Sequence, residues 1–197
     1  MGVENNVNGN NRITAWMMMM MAKGEVMIRI AALIATIVAT LVMGLNKESK
    51  SARVAVVGTT PIFQTITAQF QDTPAFIYFV IANGIASGYN LVVLSLRLFS
   101  KSWASNIAVH LLDLVILGLV ESGAGAAASM AELGKNGNMA ARWSPICNNF
   151  HTFCTRGGLA IVASSIGALL LLILTMLSII TLHNVINAAN KPQVVAP

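Results

Sequence analysis

The stretch Asn106–Leu133, NIAVHLLDLVILGLVESGAGAAASMAEL, decides the fold. It exceeds the roughly 20 apolar residues that a bilayer-spanning helix needs, yet it carries Asp113 near its start and Glu121 near its middle. An ionised carboxylate at the centre of a bilayer costs on the order of 2.5 kcal/mol or more. Each acid therefore needs a partner, a water-filled cavity or a proton. The same helix then turns from Leu/Val/Ile to Ser122-Gly-Ala-Gly-Ala-Ala-Ala-Ser129. Small residues let a second backbone come close, which is how helices associate in lipid. This helix is built to be surrounded by protein.

The rest of the chain agrees. Of 197 residues, 56% are hydrophobic and only 10% charged, against about 25% charged in soluble domains. The chain reads as an integral membrane protein with a single membrane domain. The formal charge of +5 is spread along the length. No basic tract is dense enough to follow a nucleic-acid backbone, and nucleic acid is excluded as a partner. Four spans are expected, at about 26–45, 75–98, 106–133 and 157–182. Residues 1–25 are Asn-rich and expected to be disordered. The Met17–Met21 run beside Trp16 suits either the membrane surface or an unstructured leader. Residues 46–74 read as a loop, and 183–197 as a polar tail.

Positive charges divide almost evenly between the two sides, so they do not orient the chain. Cys147 and Cys154, with six residues between them, share one loop and can close a small disulfide. If they pair, their loop lies on the oxidising side and both termini are cytoplasmic. A closed zinc site needs four ligands. Cys147, His151 and Cys154 supply three, so no metal and no cofactor is expected. A catalytic Cys–His pair would lack an oxyanion hole, and no acid, base and nucleophile converge elsewhere; no enzyme activity is expected.

With both termini on one side, the first and third spans run in the same direction. Arg29 then lies about one turn into the first and Asp113 about two turns into the third, at about 1.5 Å per residue. The difference in depth is within reach of an arginine. A bidentate Arg29–Asp113 pair would neutralise both groups and fix the register of the two helices. The bland reading is that Arg29 snorkels to the head groups. Glu121, eight residues on, points about 80° away around the helix and belongs to a different face. His110 is read as a head-group-level side chain. Asn83 and Asn90 flank Gly84-x-x-x-Gly88, which with Ser122, Gly123 and Gly125 makes a set of helix-packing candidates. Trp143, Phe150 and Phe153 can pack around the cysteine loop.

These residues resemble, in combination, the Casparian strip membrane protein-like family of plants. The resemblance rests on Arg29 and Asp113, on Gly137-Asn138, Trp143, Cys147 and Phe153-Cys154-Thr155-Arg156. It rests also on Phe70, Asp72, Ala75-Phe76, Tyr78, Val80, Ala82-Asn83 and Tyr89, and runs from about Val26 to Leu182. It implies a MARVEL-like all-α bundle of four transmembrane helices with two extracellular loops and cytoplasmic ends, in the plasma membrane. The implied partners are further copies as a homodimer or higher homo-oligomer, related family members in hetero-oligomers, the lipid bilayer and secreted cell-wall enzymes. The implied role is a scaffold that marks a membrane domain and guides cell-wall modification. The segment Thr59-Thr-Pro-Ile-Phe-Gln-Thr-Ile-Thr-Ala-Gln-Phe70 lacks the Glu-Ser-Leu-Pro-Phe-Phe-Thr-Gln-Phe signature of strip-forming members. The chain therefore resembles the "-like" branch. The rival reading is a small channel or transporter using Asp113 and Glu121, although broken helices and rings of charge are not evident.

Overall fold

The computed structural model describes the backbone of residues 2–57, 60–99 and 107–189, and side chains mainly within 23–51, 64–97 and 108–181. Four helices dominate: α1 (Gly2–Gly44), α2 (Pro74–Phe99), α3 (Ile107–Asn136) and α4 (His151–Ala189). Each contains a segment long and apolar enough to cross a membrane: Lys23–Gly44, Pro74–Arg97, Ala108–Asn136 and His151–Thr181. Buried residues are a minority of each span; α3 is not surrounded by protein as its small residues suggested, but keeps Leu111, Leu112, Leu114 and Val115 on an exposed face.

α1 packs against α2 and α4, and α3 packs against the same two helices. The bundle is therefore a four-cornered ring with α1 opposite α3 and α2 opposite α4. Small residues bring the neighbours together: Ala32, Ala39, Ala82, Ala86, Ala127 and Ala160 are fully buried. Two glycines mark the tightest approaches. A Cβ on Gly123 would fall 3.1 Å from that of Ala82, and one on Gly167 would fall 3.1 Å from Thr36 Cγ2. The core has two parts. Toward the loops, Phe76, Phe79, Phe150 and Phe153 pack with Met43 and alanines. In the other half, Ile116, Leu117, Val120, Leu171 and Leu174 fill the interior.

The structure differs from the sequence reading at three places. The helix of the first span already begins at Gly2, so residues 2–25 have helical backbone rather than none. Once a span is nucleated, each added residue gains a hydrogen bond at little further cost. Residues 46–74 are not a plain loop. They hold an antiparallel hairpin of β1 (Lys47–Val57) and β2 (Thr60–Gln69), with a bulge between Arg53 and Ala55. The β-branched residues of VAVV and TPIFQTIT favour strands, a signal the apolar pattern of the spans overshadowed. α4 starts at His151, six residues ahead of the expected 157, and continues to Ala189 into the expected tail. The side chains of Met17–Met19, Met21 and residues 182–197 lie outside the described residues, as does most of the basic link after α2.

Local chemistry sets the element ends. Asp72 accepts from the backbone N–H and the side-chain amide of Gln69, both at 3.1 Å, closing a short 3-10 turn at Phe70–Asp72 before α2. Pro74 then opens α2, where its missing N–H costs nothing. α3 stops at Gly137, whose φ of +71° only glycine adopts freely. Its N–H donates to the Leu133 carbonyl at 2.8 Å.

Candidate functional site

The candidate site is a polar layer inside the lipid-spanning region, in the half toward the chain termini. Arg29 on α1 reaches across the diagonal to Asp113 on α3. Nη1 donates to Oδ1 at 2.9 Å and Nη2 to Oδ2 at 2.7 Å, a bidentate fork between side chains with no exposed area. The sequence offered the alternative of Arg29 snorkelling to the head groups; the structure instead turns it inward. Two residues of α2 complete the layer. The Tyr89 hydroxyl lies 2.7 Å from Asp113 Oδ1 and 3.0 Å from the Val109 carbonyl. Asn90 Oδ1 accepts weakly from Arg29 Nη1 at 3.4 Å, while its amide donates to the Ala86 carbonyl. The Arg29 guanidinium also stands 6.0 Å from the Tyr89 ring centroid. A charged pair in lipid is tolerable only when its remaining donors and acceptors are met. Here three helices meet nearly all of them; Arg29 Nε alone lacks a partner among the described residues.

A second polar link crosses the other diagonal. Ser164 on α4 donates to Asn83 Oδ1 on α2 at 2.9 Å, and the Asn83 amide donates to the Phe79 carbonyl. Ser87 donates to Thr36 Oγ1 at 3.0 Å, joining α2 to α1. Asn83 and Asn90 are seven residues apart on one face of α2, about 10 Å at the helical rise. The bundle is thus pinned corner to corner at two depths. Beyond the Arg29 layer, toward the chain termini, Arg97 Nη1 donates to Glu25 Oε2 at 2.7 Å, joining α2 to α1. Nothing in the sequence patterns had singled out this pair. Tyr89 as a partner of Asp113 and Asn90 as a partner of Arg29 were also missed, although the i, i+7 spacing of Asn83 and Asn90 puts two polar residues on one inward face of α2.

Other expected residues are placed apart. Glu121 is exposed on the outer face of α3, beside Ser165 and Leu169 of α4. Ser122 is also exposed and bonds the Tyr78 hydroxyl at 2.8 Å. Gly123 makes the close approach to α2 described above. Gly84, Gly88 and Gly125 do not: a Cβ on any of them would meet nothing within 4 Å.

At the loop end, Cys147 and Cys154 form a disulfide with Cα atoms 5.7 Å apart. The described residues hold no cluster fit to bind a metal ion. Asn138 and Trp143 exchange backbone hydrogen bonds at 2.9 Å, and Gly134 accepts from the N–H groups of Ile146 and Cys147. Trp143 is more than half exposed, whereas Phe153 is buried edge-on to Phe76. The hairpin is tied to the same end. Asn46, just after α1, donates to the Phe153 carbonyl at 2.8 Å, and Glu48 Oε2 accepts the Phe153 N–H at 2.7 Å. That hydrogen bond at the start of α4, aided by nearby Lys50, holds the Glu48 carboxyl below the ordinary glutamate range.

A family profile described as Casparian strip membrane protein domain matches residues 18–170. The chain is a Casparian strip membrane protein family member. "CASP-like protein 1B2" of Oryza sativa subsp. indica is 54% identical over 166 residues, covering 84% of this chain and 81% of the relative. "CASP-like protein 1B1" of Sorghum bicolor is 53% identical over 160 residues, covering 81% and 76%. "CASP-like protein 1B2" of Vitis vinifera is 50% identical over 161 residues, covering 80% and 79%. No solved structure matches the chain. As a multi-pass membrane protein of the Casparian strip family, it holds Arg29 and Asp113 as a buried pair inside the bundle.

Proposed function

We propose that this protein is a non-enzymatic, oligomerising scaffold of the plasma membrane that organises a membrane domain and guides local cell-wall modification. Both termini lie in the cytoplasm on this reading, and the hairpin and the disulfide loop face outward. The observation that carries it is the way the polar residues of the spans are spent. Arg29, Asp113, Tyr89, Asn90, Asn83 and Ser164 bond one another inside the bundle, leaving little for a permeant or a substrate. Gly84 and Gly88 on α2 and Gly125 on α3 instead present open space on the outside. There the backbone of a second copy or a relative can come close without any hydrophobic drive. The rigid loop end offers a surface to which secreted enzymes can be recruited.

The test is lateral mobility of a tagged full-length copy, measured by photobleaching. Immobile patches whose fluorescence fails to recover are expected, and recovery in the patches should return in the variant Gly84→Leu/Gly88→Leu. Free and uniform diffusion of the native protein would end the reading.

A further inference from the structure

At the loop end, α3 and α4 part around a cavity of about 720 Å³, within the roughly 300–1,000 Å³ typical of small-molecule sites. Its roof is the segment that holds Trp143, Ile146 and Cys147, pinned by Gly134 and by the disulfide. Its floor is continuous with a second groove along the α3–α4 seam, since Ala128 and Ile161 line both. That seam leads past exposed Leu169 toward the bilayer centre. The seam end therefore meets lipid, and the other end, where Trp143, Ser144, His151 and Thr155 are exposed, suits head-group level, at which a tryptophan is at home.

We infer that this cavity takes one membrane sterol, hydroxyl outward, with its ring system lying between α3 and α4. Charge argues for a neutral head. Glu132 and Lys135 are its only ordinarily charged lining residues among those described, one of each sign. An anionic head group loses to Glu132 what it gains from Lys135, and a cationic one the reverse, so neither net charge is favoured. The start of α4 holds no vacant anion site either, because Glu48 already accepts the Phe153 N–H. A hydroxyl has suitable partners in Ser144, Thr155 and His151. Shape argues for rings rather than a chain. Ala128 and Ala131 on one wall and Gly158 on the other are small and leave low relief for a flat ring system. A rigid ring system loses less entropy on such a surface than a flexible acyl chain, which must freeze many rotors. The site is independent of the scaffold reading, since it requires only that the bundle sit in a bilayer.

The test uses the full-length chain, oxidised and reconstituted in phosphatidylcholine vesicles. Trace photoactivatable sterol is added, and cross-linked peptides are located by mass spectrometry. Labelling should concentrate in 128–135 and 157–161 and be competed by unlabelled sterol. A photoactivatable fatty acid should label the whole lipid face without competition. Gly158→Leu fills the cavity from a position where an added Cβ meets nothing within 4 Å, and Ala131→Leu fills it from the other wall. Each should reduce cavity labelling about tenfold, whereas Gly88→Leu on α2 should leave it intact. Size exclusion and a retained disulfide show that the variants remain folded. Evenly spread sterol labelling, matching labelling by the fatty acid, or undiminished labelling in both folded variants would overturn the assignment.

Discussion

The two ends of the bundle are held together by different physics. In the half toward the termini, α1, α2 and α3 are joined by charge: the Arg29–Asp113 fork with Tyr89 and Asn90, and the Glu25–Arg97 pair beyond it. At the loop end no intramembrane charge is used among the described residues. Phe76, Phe79, Phe150 and Phe153 pack with alanines, a disulfide closes the loop, and Asn46 and Glu48 bond the backbone of α4. Lipid explains the division. Inside the hydrocarbon, a misplaced charge is so costly that a single matched pair specifies one register. Near water that penalty fades, so covalent closure and backbone hydrogen bonds must specify the shape instead.

The largest expected effect tests the charged half. Asp113→Leu or Arg29→Leu leaves the other charge buried alone, a loss of about 3–5 kcal/mol. The double variant Arg29→Met/Asp113→Leu should recover most of that, because both charges leave together. Thermal unfolding of purified protein in nanodiscs measures it. Single variants that melt with the native protein would show that the pair does not hold α1 to α3.

A smaller effect tests the loop end. Cys147→Ser/Cys154→Ser should cost about 2.5 kcal/mol from chain entropy for a loop of this length. The damage should stay local. Hydrogen exchange should rise across 134–150 and remain unchanged around Asp113; an equal rise at both would erase the contrast between the ends.

The smallest effect sharpens the comparison further. The folded Glu48 carboxyl lies below its ordinary range, so it binds protons less readily folded than unfolded. Its contribution is complete above the unfolded value of about 4.3 and is lost as pH falls through the lower folded value. After correction for intrinsic exchange, the Phe153 amide should lose protection in acid in the native protein. In Glu48→Gln that acid-dependent step should vanish, with Asp113-layer amides unaffected in either.

Much of the membrane region was legible in the sequence because lipid imposes long apolar runs. The four spans, the inward need of Asp113 and the partnership open to Arg29 follow from the cost of charge and from helical rise alone. The hairpin of 47–69 was not legible as such, since a period-2 signal in a half-polar segment is weak beside four apolar helices. Nor was the difference among the glycines. Gly84-x-x-x-Gly88 matches the packing pattern better than Gly123 or Gly167, yet only the latter two touch a neighbouring helix closely. Pattern records which residues are small, whereas contact depends on helix rotation.

What the sequence by itself determined was the solvent: a chain this apolar, with four spans, belongs in a bilayer and must find a partner for Asp113 inside one of them. Only the tertiary structure decided that α1 faces α3 across a diagonal, that Tyr89 and Asn90 join the ion pair, and that α3 and α4 part to leave a cavity beneath the disulfide loop. The reason is that burial in lipid is a property of composition, additive along the chain. Which faces meet is set by the rotation of four packed helices, and no single segment contains that information.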